Sequence, residues 1–457
     1  MTGAGPLARA LTAAATRERL HMPGHFGRVP PVAASWAGAA AAWDQTESGG
    51  LDALSEPTGV LAELSVRAAA AYQAPVAWLS VQGATLPMLA GSLAAVPVGG
   101  RVLADRQSHR SVVAAAILGG WWVDWVSPAR AGEPPEVADW LRGFSGRRPD
   151  AVVLLYPSYD GRSIDLGPVV AAARARGSRV LVDAAHGAHF GRAAALPPHP
   201  LAWAPDLVAH GLHKTEPVLT QTGLLLAGPA GAGLPVGEWM RRLGTSSPSY
   251  LLLASIEQYI EGRRAGDGGW GVFAEQMLAV WDRLAARGFS IRQRDWARAG
   301  RWADPAKLTV RGDGPVLAAR LRAAGFEPEH EAADGVTLIA GPALGYDLRQ
   351  WDRVISALGD PLTPPADERA WPSPGGAVLS PAVAVASRRR SVALGAAADL
   401  VAASEVTPYP PGIPVVVPGE RFTASAIAWM QDLLSRGARL EGVEPSREGV
   451  AVWVVDT

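Results

Sequence analysis

An α/β fold, with a mostly parallel sheet flanked by helices and a smaller α+β domain towards the C-terminus, is what this sequence predicts, and three observations point there. Short, almost uniformly apolar runs at 151–156 (AVVLLY), 179–183 (RVLVD), 206–210 (DLVAH) and 223–228 (GLLLAG) have the length and composition of strands buried on both faces. Between the first two lies LGPVVAAARARG (166–177), a run of helix formers closing on Gly177, a residue suited to a helix C-terminus. The chain has 457 residues, more than one ordinary domain, so a large domain and at least one smaller one are expected.

Residues 1–40 are read as an N-terminal arm. The first twenty residues are rich in Ala and Arg and poor in acids, as a transit peptide is, but the same enrichment runs through the whole chain, which favours the arm. A large domain spans 41–265, because apolar runs alternate with helix-like segments from about residue 59 to 230, as βαβ units do. The helical stretch at 250–288 carries the chain out of it. Pro and Gly thicken at 360–376 and at 407–420, which predicts a linker and then an ordered loop within the C-terminal region, 266–457. No internal repeat is present.

Lys plus Arg number 42 and Asp plus Glu 43, a net charge of -1, so no field gathers nucleic acid or an anionic membrane. A small molecule is the expected partner. Cysteine is absent, which removes thiolate metal sites and cysteine nucleophiles and fits a reducing, cytoplasmic setting. No apolar run reaches the roughly 18 residues needed to span a bilayer.

In a parallel sheet, chemistry gathers just beyond the carboxyl ends of the strands. Those places hold 156–161, 183–189 and 210–214. Lys214 lies in HGLHKTEPVLTQTG between two apolar runs, where partial desolvation makes an amine a better nucleophile. A lone loop lysine is ordinarily just solvated; here Lys214 and Lys307 are the two lysines in an arginine-rich chain. Asp183 ends its strand and opens DAAHGAH. Taken alone it reads equally as a turn or N-cap residue, but paired with Lys214 it can hold a pyridine nitrogen protonated so that the ring accepts electrons.

Three close histidine pairs (His21 and His25, His186 and His189, His210 and His213) suggest metal. Gly or Pro inside HMPGH and HGLH and the absence of an HExxH-type pattern argue against it, and no metal is expected. His109 and His186 suit stacking or acid/base roles better. QGAT (82–85), at a strand-to-helix turn, would aim backbone N–H groups and the Thr85 hydroxyl at an anion such as phosphate, although such a turn is also an ordinary cap. Dinucleotide and P-loop motifs are absent.

Taken together, HMPGHFGR (21–28), DQTESGGLDAL (44–54), SVQGAT (80–85), RQSHRSV (106–112), PSYDG (157–161), DAAHGAH (183–189), HKTEPVLTQTG (213–223), TSSPSYLLLAS (245–255) and PYPPGIPVVVPGE (408–420) resemble the ornithine/lysine/arginine decarboxylases of fold type I, in the short form without an N-terminal wing domain. The resemblance spans most of the chain and implies pyridoxal 5'-phosphate as cofactor. It implies that Lys214 carries the cofactor as an imine, that Asp183 pairs with the pyridine nitrogen, that His109 stacks on the ring and that His186 lies near its phenolic oxygen. Gly83, Ala84, Thr85 and His213 would bind the phosphate. Thr245 and Ser247, in the TSSPSY segment, would reach the cofactor of a neighbouring subunit, making a homodimer with composite sites. Asp44 and Glu47, with His25, would read a cationic substrate, an acidic pair that is otherwise simply a solvated loop.

Departures from the family pattern are Ala184 for Glu, Gly211 for Ser, Phe26 for Lys, and Ser404 where an acid is usual, with Glu405 next to it. The expected reaction is decarboxylation of arginine, lysine or ornithine to the amine. Alternatives are an oxidase or aminotransferase acting on a basic amino acid, or a cofactor-binding homologue without turnover.

Overall fold

The computed structural model describes residues 17–21, 23–26, 43–47, 50–126, 128, 135–363, 371–373, 375–409, 412–446 and 449–456. The reading of residues 1–16 as arm or transit peptide lies outside them, as do Gly27 and Arg28 of the HMPGHFGR motif and Pro410 and Pro411 of PYPPG.

Seven strands form the central sheet: β1 (Val76–Ser80), β2 (Arg101–Asp105), β3 (Trp122–Val126), β4 (Ala151–Leu155), β5 (Arg179–Asp183), β6 (Leu207–His210) and β7 (Gly223–Ala227), in spatial order β1-β7-β6-β5-β4-β2-β3. All run parallel except β7, which is antiparallel to both of its neighbours. The cause is local. A parallel return needs a crossover, usually a helix; the connection 211–222 contains only a single 3-10 turn, Leu212–Lys214, so the chain doubles back.

Both faces of the sheet are covered. Val152, Leu154, Val180, Val182, Val208, Leu224 and Leu226 face a core that includes Leu64 of α1 (Val60–Ala71), while the alternate residues Val153, Leu181, Ala209 and Leu225 meet Met88 of α2 (Thr85–Ala95) and Val112 of α3 (Ser111–Gly119). This period of two with apolar residues on both sides explains the uniformly apolar strand sequences. The helix α4 (Gly167–Ala175) ends as its sequence predicts, with Gly177 at φ +68°. The 250–288 stretch forms α5 (Tyr250–Ala265) and α6 (Trp270–Ala286).

Beyond α6 the chain builds two further cores rather than one. The first packs α6 and the helices Gly314–Ala323 and Leu348–Leu358 on an antiparallel sheet of β8 (Lys307–Arg311), β9 (His330–Ala332) and β10 (Gly335–Ile339), and takes in Leu20 and Phe26 from the N-terminal segment. The second, at 392–454, packs the helix Ala424–Ser435 against β11 (Arg389–Ala393), β12 (Val443–Ser446) and β13 (Gly449–Val455). Among the described residues no helix is long and apolar enough to cross a membrane.

Candidate active site

Because six strands are parallel, their carboxyl ends share one edge of the sheet, and the loops leaving that edge carry the residues singled out in the sequence. Asp183 ends β5 and is buried; its Oδ1 accepts the Ala185 N–H at 3.1 Å. Burial raises its pKa, against the Ala185 N–H and the charge of Lys214, which favour the carboxylate. Lys214 stands on the turn after β6. It keeps partial exposure to the cleft, but protein surrounds its amine, and this desolvation lowers its pKa, opposed by the Asp183 and Glu329 carboxylates. Asp183 and Lys214 therefore feel each other's charge.

His186, three residues beyond Asp183, is buried and bridges two amines. Its Nε2 lies 3.0 Å from Lys214 Nζ and its Nδ1 2.9 Å from Lys307 Nζ. Burial, then the charges of Lys214 and Lys307, hold its pKa well below the usual value. His109, in the loop after β2, is pushed down to about 4 by burial and by Lys214 and Arg110. The Ser111 backbone N–H donates to its Nδ1 at 3.2 Å, which places the ring proton on Nε2. From the other end of the sequence Gly412 closes over this ring: a Cβ on Gly412 would stand 3.3 Å from His109 Cδ2, and the Arg110 N–H donates to its carbonyl at 3.1 Å.

The QGAT turn has the expected form. Gly83 adopts φ +62°, and α2 begins at Thr85. The Gly83 N–H is taken by the Gln221 carbonyl at 2.6 Å, so any donor offered to an anion at this turn would have to come from Ala84 or Thr85. Gly223 has to be glycine, because a Cβ would meet the Gly83 carbonyl oxygen at 2.4 Å. His213 donates from Nδ1 to the Thr222 carbonyl at 3.0 Å, turning its other edge towards Gly83. These residues fit pyridoxal phosphate: a desolvated amine, a buried carboxylate, neutral imidazoles, and a glycine turn opening a helix N-terminus.

Other predicted residues lie further out. His25 sits behind the lysine loop, where Gly24 presses so close to the backbone of Thr215 and Glu216 that no Cβ would fit, and burial lowers the pKa of His25. Asp44 and Glu47 are exposed, and the charge of Glu47 acts on Tyr250. Thr245 and Ser247 are exposed beside the glycine turn, the Thr245 N–H donating to Gln82 Oε1 at 2.9 Å. The paired histidines separate: His189 bonds Asp304 at 2.8 Å, His210 the Ala184 carbonyl at 2.9 Å, and among the described residues no three potential ligands converge on a metal.

Sequence reasoning gave no role to Lys307, Tyr159 or Glu329. Tyr159 donates to Glu329 at 2.8 Å, and its ring meets His186 edge-on at 5.4 Å. The scarcity argument that singled out Lys214 applies equally to Lys307.

Comparison with known proteins places the chain. The model of the Orn/Lys/Arg decarboxylase major domain matches residues 135–268, and that of the Orn/Lys/Arg decarboxylase C-terminal domain matches 377–455. The uncharacterized protein YaaO of Bacillus subtilis is 30% identical over 425 residues, covering 87% of each chain. The chain belongs to the Orn/Lys/Arg decarboxylase family. It is a pyridoxal-phosphate-dependent amino acid decarboxylase. Another relative within the family's range, the arginine decarboxylase of Bacillus subtilis, is 26% identical over 474 residues, covering 96% of each chain. In fold this decarboxylase resembles the lysine decarboxylase LdcF of Francisella novicida, with a TM-score of 0.76 at 16% identity, over 90% of this chain and 74% of that one. The constitutive lysine decarboxylase of E. coli is similar at a TM-score of 0.70 and 17% identity, over 100% and 80% of the two chains. The sheet flanked by helices with a smaller C-terminal domain is thus the fold-type-I architecture.

Proposed function

We propose that this decarboxylase takes a basic amino acid, arginine, lysine or ornithine, and releases carbon dioxide and the corresponding amine. The observation that carries the reading is the convergence of the Lys214 amine, the Asp183 carboxylate and the His109 and His186 imidazoles at the carboxyl edge of the sheet. Bound pyridoxal phosphate supplies an electron sink for the pair left behind when a bond to Cα breaks. The protein's own groups do the rest. Lys214, its pKa lowered, is the nucleophile that anchors the cofactor and yields it to substrate. Asp183, buried one strand away, keeps the ring nitrogen protonated. His109 covers a ring face, and Ala84, Thr85 and His213 hold the phosphate, with Gly83 shaping the turn.

Lys214 and His186 stand 3.0 Å apart, close enough to pass a proton between them, and one of the two would return it to Cα once the carboxyl group has left. Asp44, Glu47 and His25 are the proposed readers of the distal cation. Glu329, whose charge reaches both lysine amines, adds a carboxylate on the other wall. With Thr245 and Ser247 reaching the site of a partner subunit, the working form would be a homodimer, and its proposed setting is the cytoplasm.

The test is a screen of arginine, lysine and ornithine with the purified holoenzyme, following both gas and amine. Carbon dioxide and amine in equal amounts support the reading. Peroxide with keto acid would make it an oxidase, and keto acid dependent on an added acceptor an aminotransferase.

A further inference from the structure

Both lysines of this chain meet on one imidazole, and arginine serves as the cation everywhere else. A neutral imidazole has one acceptor nitrogen and one N–H. Lys214 and Lys307 therefore cannot both donate to His186: one is an ammonium donating to the ring, and the other receives the ring N–H as a free amine. An imidazolium between them would be a third positive charge in a buried cluster.

The surroundings decide which amine keeps the proton. Lys307 is fully buried and lies with the carboxylates of Asp304, Glu329 and Asp160, and over the Tyr159 ring at 5.7 Å. Asp304 has one oxygen engaged by His189 at 2.8 Å and by the Ala306 N–H at 2.9 Å, while its buried Oδ2 has no hydrogen-bond partner. Lys214 has Asp183 and Glu329, and the Asp183 carboxylate is the group that serves the cofactor ring.

We propose that Lys307 is a positioning residue of the decarboxylase site: its ammonium donates to Nδ1 of His186, fixes the ring proton on Nε2, and so holds Lys214 as the free amine that cofactor capture requires. The inference rests on the reading of Lys214 as the cofactor-binding residue. The other titratable groups facing the cluster agree with it. His109 and His213 are kept neutral by burial, and Tyr159 is held far above its usual value by burial and Glu329. His330, edge-on to Tyr159 at 5.9 Å, is likewise lowered by burial. Burial lowers both amines, Lys307 down to about 8, which still leaves it largely an ammonium at neutral pH; what sets the two apart is the cluster of Asp304, Glu329 and Asp160 carboxylates beside Lys307.

The chain itself provides the assay, since its two lysines and the N-terminus are its only amines. The full-length protein, stripped of cofactor, is pulsed with acetic anhydride from about pH 6 to about pH 11, and acetylation of each lysine is read by mass spectrometry. Lys214 should become reactive at a midpoint roughly one pH unit or more below that of Lys307. In Lys307→Met the Lys214 midpoint should rise by about one unit, and Lys307→Arg, which keeps a charged donor, should restore it. Lys307 reacting at lower pH than Lys214, or a Lys214 midpoint unmoved in Lys307→Met, overturns the proposal. If Lys307→Met does not fold, the wild-type order and the Lys307→Arg midpoint decide it. The labelling involves neither substrate nor turnover, so a negative decarboxylation screen with the expected labelling order would count against the substrate reading alone.

Discussion

Removing the Lys214 amine tests the site most directly. Lys214→Ala should abolish the imine absorbance of the purified protein and lower turnover by at least about 100-fold; normal turnover would refute the assignment. Gly223→Ala probes a subtler dependence. The added methyl meets the Gly83 carbonyl oxygen at 2.4 Å, so the turn at the helix start must shift, and cofactor affinity should fall about tenfold, roughly 1.4 kcal/mol, as read by fluorescence titration. Lys214, Asp183, His109 and His186 could be singled out in the sequence because each lies at or just past the end of an apolar strand. Lys307 and Glu329 were not, because nothing local marks them: Lys307 opens a strand, β8, in a different sheet, and only the fold brings it within 2.9 Å of His186. The free N–H donors of the anion turn were overcounted for the same reason, since the acceptor for Gly83, the Gln221 carbonyl, is remote in sequence.

Among the elements, the loop at 412–420 is secured by one buried cation. Arg106 donates to the carbonyls of Pro414 at 2.7 Å and Val415 at 2.8 Å and faces the buried Glu420 at 3.4 Å. Arg106→Met leaves that carboxylate buried without its partner, which should cost about 3–5 kcal/mol in urea unfolding. Adding Glu420→Gln should recover part of the loss, and a cost below about 1 kcal/mol for the single change would contradict this account. Strand positions were readable from apolar runs, since burial on both faces leaves no other composition. Strand direction was not: the reversed β7 follows from the absence of a crossover helix in 211–222, where the apolar pattern is the same for either direction. The two separate cores beyond α6 were hidden too, because short antiparallel strands with mixed exposure give weak signals.

The whole molecule should lose stability in acid. His109 is pushed down to about 4 and His210 to about 3, and His186 and His199 lie well below the ordinary value of 6.5. Groups depressed in the folded state contribute stability that is complete above about 6.5 and is lost as pH falls towards their folded values, since the unfolded chain takes up more protons. Asp105, raised to about 7 by burial, acts in the opposite sense, stabilising at low pH and losing that contribution as pH rises through 7. Seven histidines are lowered, His25, His213 and His330 among them, against four raised carboxylates, Asp105, Asp183, Glu405 and Glu420, so the melting temperature should fall from about pH 6 to about pH 4, each imidazole adding up to about 1.4 kcal/mol per pH unit. A flat profile over that interval would show that the imidazoles are not held neutral. The contact between Gly412 and His109 has a consequence for biosynthesis. A nascent chain emerging from the ribosome exposes Lys214 long before residue 412 is translated, so the ring of His109 stays uncovered until nearly the last domain is made. Cofactor retention should therefore trail completion of the polypeptide, and messages truncated before codon 409 should yield chains with the anchoring amine but an open cleft.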